Sequence, residues 1–214
     1  VDRKGNLVAS KLFKTGASHS FDLFKAQLKK EIGLLTSSLG ASSSIIAIGI
    51  GAPNANFKTR EMINPPNFKW GTKVPIKTMV QELLDRPVFM TNDANASALG
   101  ELYFGMGRNM KNFVVLTLGT GLGSGIINEG KLIYGEHGMA GELGHVNVLQ
   151  EGRQCNCGLK GCLETYASVT GIKRTVFELL SDSNAESILR SYSFEDLSGK
   201  DISKAAHAHD SIAL

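Results

Sequence analysis

Apolar and polar positions along this chain follow two alternating periods. The run Ile45-Ile-Ala-Ile-Gly-Ile-Gly-Ala52 is short, continuous and rich in isoleucine, which predicts a buried strand ending in a glycine turn. Arg86–Thr91 and Asn112–Leu118 are apolar and β-prone in the same way and predict two more strands. Helices are expected over Phe21–Leu39, near Ile76–Leu84, and over alanine-rich Ala94–Leu102, where Asn92 is the natural cap. The start, Val1–Phe13, looks β-like with a turn at Arg3-Lys-Gly-Asn6. Asn128-Glu129-Gly130-Lys131 is expected to turn a hairpin between Ser124–Asn128 and Lys131–Tyr134. Helices at Glu164–Leu180 and Asp201–Asp210 close the pattern, and Ser42–Ser44 reads as a short loop. Strands alternating with helices indicate an α/β fold. A first lobe is expected over 1–110 and a second over 111–214.

Against this ordinary background one stretch stands out. His145 is followed by Cys155, Cys157 and Cys162 in C-N-C-G-L-K-G-C, which uses all three cysteines of the protein. Three thiols and an imidazole are the soft four-ligand set that tetrahedral zinc prefers. Gly158 and Gly161 allow the tight turns such a loop needs. A disulfide would pair two thiols and strand the third, and a chance cluster of buried thiols would need neither the glycines nor the histidine. The C-x-C spacing differs from the C-x2-C knuckle of zinc fingers, so a generic finger is not indicated. Glu142, in Gly141-Glu-Leu-Gly-His145, and Glu164, in Leu163-Glu164, flank the loop. Two carboxylates and an imidazole brought to one pocket suit a polyhydroxylated ligand, because each carboxylate accepts several hydroxyl hydrogen bonds. Taken singly, either glutamate would read as an ordinary solvated acid.

Composition narrows the class without naming it. The 214 residues are 42% hydrophobic and 20% charged, enough to bury a substantial core. The net charge of +3 is too small to argue for nucleic acid or an acidic membrane surface. No apolar run is long enough to span a membrane, and the N-terminus lacks a signal-peptide pattern. Thiols committed to metal suit a reducing cytoplasm.

The segments GELGHVNV, CNCGLKGCLE, TNDANASALGE (Thr91–Glu101) and LTLGTGLGSGI (Leu116–Ile126) together resemble the ROK family of sugar kinases and sugar-responsive repressors. The motifs occur in the family's order, and Asn156 stands where the family usually has glycine. The resemblance implies an actin-like ATPase (ribonuclease H-like) two-lobed fold carrying a zinc-binding loop. It also implies transfer of the ATP γ-phosphoryl group to a hexose, most readily glucose, with magnesium, in the cytoplasm. A homodimer is compatible with it.

Residue by residue, the resemblance makes Asp93 the general base and Asn92 a sugar contact. Asp93 falls in the first turn of its helix, where the dipole favours the ionised form, although such a residue alone would read as a helix cap. Gly51, in the Gly51-Ala52-Pro53 turn, is implied as a sugar contact, with Asn54 in place of the family's glycine. Asn56, Asn64 and Asn67 follow it, residues more at home in surface turns. Gly119, Thr120 and Gly121 are implied as a phosphate-binding turn. By themselves the alternating glycines from Gly119 to Gly125 fit neither a dinucleotide fingerprint nor a Walker A loop, since Leu132 replaces the magnesium-binding hydroxyl.

Compared with the family pattern, the chain is expected to be incomplete at both ends. It lacks the first D-x-G-G-T phosphate turn and a later adenosine-binding segment. Weak turnover and exposed apolar surface in the second lobe are therefore expected. A repressor whose DNA-binding segment lies upstream, and a non-catalytic sugar-binding remnant, remain as other readings.

Overall fold

The structure, a computed structural model, describes residues 1–16, 20–39, 45–65 and 68–214. Ser42–Ser44 and Asn67 lie outside the described residues. The chain forms two compact units, one of residues 1–115 and 125–140, the other of residues 116–124 and 141–214.

The first unit begins with α1 (Phe21–Ser37), whose N-terminus is capped by Ser20 Oγ accepting from the Leu23 amide at 3.4 Å. Then come β1 (Ile48–Ala52), β2 (Ala55–Asn56), β3 (Glu61–Ile63), β4 (Lys73–Val74), α2 (Ile76–Leu84), β5 (Val88–Asn92) and α3 (Asp93–Phe104). β1 and β5 run parallel, with Ile50 beside Met90 and Ala52 beside Asn92, while β2, β3 and β4 form a small antiparallel sheet. Met62, Val74, Met79, Val80, Val88 and Met90 make the core, and the Phe24 ring packs 4.6 Å from that of Trp70.

A third sheet has the order β6 (Phe113–Leu118), β7 (Leu122–Asn128), β8 (Lys131–Leu132). The hairpin turn is where it was expected: Glu129 and Gly130 have φ of 51° and 72°, the paired positive angles of a tight two-residue turn. Residues 125–140 nevertheless belong to the first unit, unlike the single boundary after residue 110. The reason is close packing on α3, since a Cβ on Gly125 would lie 2.5 Å from that of Ala98.

The second unit holds α4 (Glu164–Ala167), α5 (Val169–Asp182) and α6 (Gly199–His207). Val176, Leu180, Leu189, Leu197, Ile202, Ala205 and Ile212 form its core. Leu116, Leu118, Val146, Val148, Leu149 and Leu159 are exposed, in keeping with the apolar surface expected there.

Some expected elements differ. Val1–Phe13 forms no strand: Leu7, Val8 and Leu12 are exposed, and a strand without a hydrogen-bonding neighbour has nothing to hold it extended. Asp2 still organises the turn, accepting from the amides of Lys4 and Asn6. The strand expected from Ile45 starts at Ile48 and is only half-buried, because its outward positions, Gly49 and Gly51, are exposed. The helix expected over Glu164–Leu180 is broken at Ser168, which takes an extended conformation and caps α5 through its hydroxyl, 3.0 Å from the Gly171 amide. The last helix starts two residues early, at Gly199, where Ser198 and Asp201 form a reciprocal capping box. Among the described residues no helix is long and apolar enough to cross a membrane.

Candidate functional site

In the first unit, the C-terminal ends of the parallel strands deliver Gly51, Asn92 and Asp93 to one place. Gly51 is needed there for space. A Cβ on it would sit 3.0 Å from that of Ala96 and 3.5 Å from Asp93 Cα, so a side chain would press on the start of α3. Asn92 caps α3 as expected, its Oδ1 accepting from the amides of Ala94 at 2.8 Å and Asn95 at 3.4 Å. That leaves its Nδ2 as a donor. Asp93 Oδ1 also accepts from the Ala94 amide, at 2.9 Å, and Oδ2 has no protein partner among the described residues. One carboxylate oxygen is thus anchored at the positive end of a helix and the other can take a proton. Asn54, next in the same loop, adopts φ 51°, the left-handed angle that asparagine tolerates.

In the second unit, the four expected metal ligands converge. Their ligand atoms all lie within 4.8 Å of one another, with Cys155 Sγ 3.7 Å from His145 Nδ1 and Cys157 Sγ 3.7 Å from Cys162 Sγ. Zinc–sulfur bonds of about 2.3 Å at tetrahedral angles place sulfurs roughly 3.8 Å apart, so the set fits zinc. All three thiols are free, and Cys155 and Cys162 are buried. The loop closes as its glycines promised. Gly158 and Gly161 have φ of 94° and 73°, and a Cβ on Gly161 would fall 1.8 Å from the Leu149 carbonyl oxygen. Burial pushes the Cys162 thiol up to about 12, and the hydrogen bonds its S–H donates to Cys157 and Cys155 add to the effect. Burial raises Cys155 as well, whereas the Leu159 amide holds exposed Cys157 below the usual thiol range. Metal entry must displace those protons, as thiolate ligation always does.

Both flanking carboxylates are beside the loop. Glu142 Oε2 is 4.0 Å from His145 Nε2, on the far side of the ring from the thiols. A metal on Nδ1 would leave the proton on Nε2, turned towards that carboxylate. Glu164 does something its sequence position did not advertise. Its Oε2 accepts from the Leu122 amide at 2.8 Å, and a Cβ on Gly121 would lie 2.4 Å from the same oxygen. The glutamate therefore binds the glycine turn to the metal loop. Within that turn, Gly119 N donates to Gly121 O at 3.0 Å and Gly119 O accepts from Val169 N at 2.9 Å. Among the described residues the amides of Thr120 and Gly121 have no partner, which leaves two donors for an anion. A small polar cleft beside the turn is lined by Thr120, Gln154, Asn156, Thr170 and Arg174.

Two features escaped the sequence reading. Arg153, between His145 and Cys155, makes a dense set of bonds to α4 and α5, described below. Asn95 is 4% exposed and its Oδ1 has no partner among the described residues. Arg153 has no periodic or motif signal, and Asn95, although inside the Thr91–Glu101 motif, is not marked by it as buried; only the folded geometry exposes them.

Both groups of residues lie within the stretch that matches known proteins. The sequence model of the ROK family matches residues 1–214. The chain belongs to the ROK family. A glucokinase of Halalkalibacterium halodurans is 41% identical over 177 residues, 81% of this chain and 53% of that protein. A xylose repressor of Caldicellulosiruptor bescii is 37% identical over 161 residues, 75% of this chain and 38% of that protein. The chain thus spans about half or less of the length of these curated ROK relatives. Among solved structures, a ROK family glucokinase from Streptomyces griseus in complex with glucose and AMPPNP superposes with a TM-score of 0.78 at 33% identity. That match covers 100% of this chain and 68% of that one. The mixed α/β fold is the actin-like ATPase fold of ROK sugar kinases.

Proposed function

We propose that the protein takes part in ATP-dependent phosphorylation of a hexose, with glucose the first candidate. The observation that carries this reading is the metal-ligand cluster with Glu142 and Glu164 beside it, in a chain 41% identical to a glucokinase.

The roles follow from chemistry. Asp93 removes the proton from the attacking sugar hydroxyl through its unpartnered oxygen, while the new O–P bond forms and the γ-phosphoryl group leaves ADP. Asn92, with Nδ2 available, and the open backbone at Gly51 contact sugar hydroxyls. Glu142, His145 and Glu164 are assigned to further hydroxyls, carboxylates accepting and the imidazole Nε2–H donating. His145, Cys155, Cys157 and Cys162 would hold zinc, which supplies a fixed ring orientation and tautomer rather than a reacting group. Gly119, Thr120 and Gly121 offer backbone donors to the nucleotide's phosphates, and magnesium is assigned to that nucleotide. Positioning and charge neutralisation supply most of the catalysis in such transfers. The setting proposed is the cytoplasm, where free thiols persist.

A second reading has its own support in the 37% identity to a xylose repressor. Titration calorimetry with glucose, mannose, fructose, an N-acetylhexosamine and xylose, alongside a coupled ATP assay, separates the two. Hexose binding with ATP-dependent product formation supports the kinase. Xylose binding without turnover favours the sensor, and no sugar binding at all overturns both.

A further inference from the structure

We infer that Arg153 is the positioning residue of the metal loop, a strut that fixes the ligand geometry from outside the coordination sphere. Every N–H of its guanidinium is used. Nε donates to Glu178 Oε1 at 3.2 Å and Nη2 to Thr175 Oγ1 at 2.9 Å and to Glu178 Oε2. Nη1 donates to the carbonyls of Thr165 at 2.7 Å and Gly171 at 3.1 Å. The plane also lies 4.6 Å from the centre of the Tyr166 ring. The Arg153 side chain is 15% exposed and its bonds to Thr165, Gly171 and Thr175 are partly buried, whereas the pair with Glu178 faces solvent.

The backbone of Arg153 belongs to the metal knuckle itself. Its carbonyl accepts from Gly161 N at 2.9 Å, next to Cys162, and its amide donates to Tyr166 Oη at 2.8 Å. Two residues later comes Cys155, whose amide donates to Leu159 O at 2.8 Å. Thr165, held by the guanidinium, donates in turn from its amide and hydroxyl to the Cys162 carbonyl, at 2.9 and 2.7 Å. One arginine thus connects the backbones of two thiol ligands to a face of α5 made by Gly171, Thr175 and Glu178. A lysine could reach one or two of these acceptors but could neither fork between them nor stack on Tyr166. Loss of the fork should loosen the relative placement of Cys155 and Cys162, and metal affinity depends on that placement.

The inference rests on the zinc reading of the four ligands and not on which sugar is bound. Its test is a zinc competition titration against a chromophoric chelator, with the visible spectrum of the cobalt-substituted protein as a second readout. The purified wild-type chain is compared with Arg153→Lys, Glu178→Gln and Arg190→Lys. Arg190 is the matched control, because it also ties carbonyls together in the second unit, those of Leu180, Ser183 and Ala185, away from the metal. Arg153→Lys is expected to weaken zinc binding roughly 10–100-fold and to shift the cobalt bands. Glu178→Gln should weaken it by less, and Arg190→Lys should leave affinity and spectrum unchanged while lowering thermal stability. Wild-type affinity in both Arg153→Lys and Glu178→Gln would overturn the inference, as would equal losses in the Arg190 control. Should Arg153→Lys not fold, the Glu178 variant decides in the same way. A wild-type chain that binds no stoichiometric zinc overturns the metal reading and the strut with it, a different and separable result.

Discussion

Glu164 joins the glycine turn to the metal loop: its Oε2 accepts from the Leu122 amide at 2.8 Å while its Oε1 lies 3.9 Å from Cys155 Sγ. The residue was expected as a sugar contact; what the structure shows is a carboxylate that holds the turn. An amide held by a carboxylate is a charge-assisted bond, stronger than one between neutral groups. The turn that offers Thr120 and Gly121 donors therefore has its shape set, in part, by a carboxylate beside the cysteine loop.

Glu164→Ala should consequently do more than remove a ligand contact. It leaves the Leu122 amide without a partner in a half-buried position, a loss of about 1–3 kcal/mol. Urea unfolding of the two proteins measures it, with an unchanged m-value expected. If the variant is as stable as the wild type, the carboxylate is not what holds the turn.

Cys157→Ser tests whether metal and sugar are linked. Serine keeps the shape but removes a thiolate, so bound zinc measured by elemental analysis should fall well below one per chain. Hexose affinity should fall with it, because His145 loses the anchor on Nδ1. Normal sugar binding by zinc-depleted protein would separate the two properties.

How far these residues could be read in advance depended on the range of the interactions involved. Asn92 and Asp93 were legible because a helix cap is a local device, settled within three residues, and the structure has the cap where it was expected. The convergence of His145 with Cys155, Cys157 and Cys162 was legible because no common alternative uses three close thiols and a histidine. The Ser168 break was not: a run from Glu164 to Leu180 has helical composition throughout. It divides because the Ser168 hydroxyl outcompetes the continuing helix for the Gly171 amide. Arg153 and the Leu122–Glu164 bond, 42 residues apart in sequence, depend on tertiary geometry that no local pattern encodes. The first strand failed for the opposite reason, since its local β preference found no neighbour.

Acid should loosen the end of the second unit before its metal-free core is otherwise stressed. Asp210 accepts from Ser187 Oγ at 2.9 Å, Ile188 N at 2.9 Å and Ile212 N at 3.0 Å. Burial pushes its carboxyl up, but the hydrogen bonds from Ile188, Ile212 and Ser187 prevail and hold it below the ordinary 3.8. Ser198 holds Asp201 low in the same direction. A carboxyl depressed on folding adds stability that is fully present above its unfolded value and disappears as pH falls through the folded one. Thermal melts from pH 6 down to pH 3 should show a loss of stability concentrated near and below pH 4. Asp210→Asn should flatten that loss while lowering stability at pH 6, and a variant with the wild-type pH profile would remove Asp210 from the account.

Asp93→Asn separates chemistry from binding most directly. Asparagine can still accept the Ala94 amide, so the start of α3 should hold and hexose affinity should change little. It cannot accept a proton from a hydroxyl, and loss of a positioned base lowers rates by roughly 10²–10⁴-fold. Calorimetry and a coupled assay on the same preparation give both numbers, best in a chain of the full length of its curated relatives. Near-normal turnover with intact sugar binding would mean that the proton leaves by another route, and that the carboxylate at the head of α3 serves the helix alone.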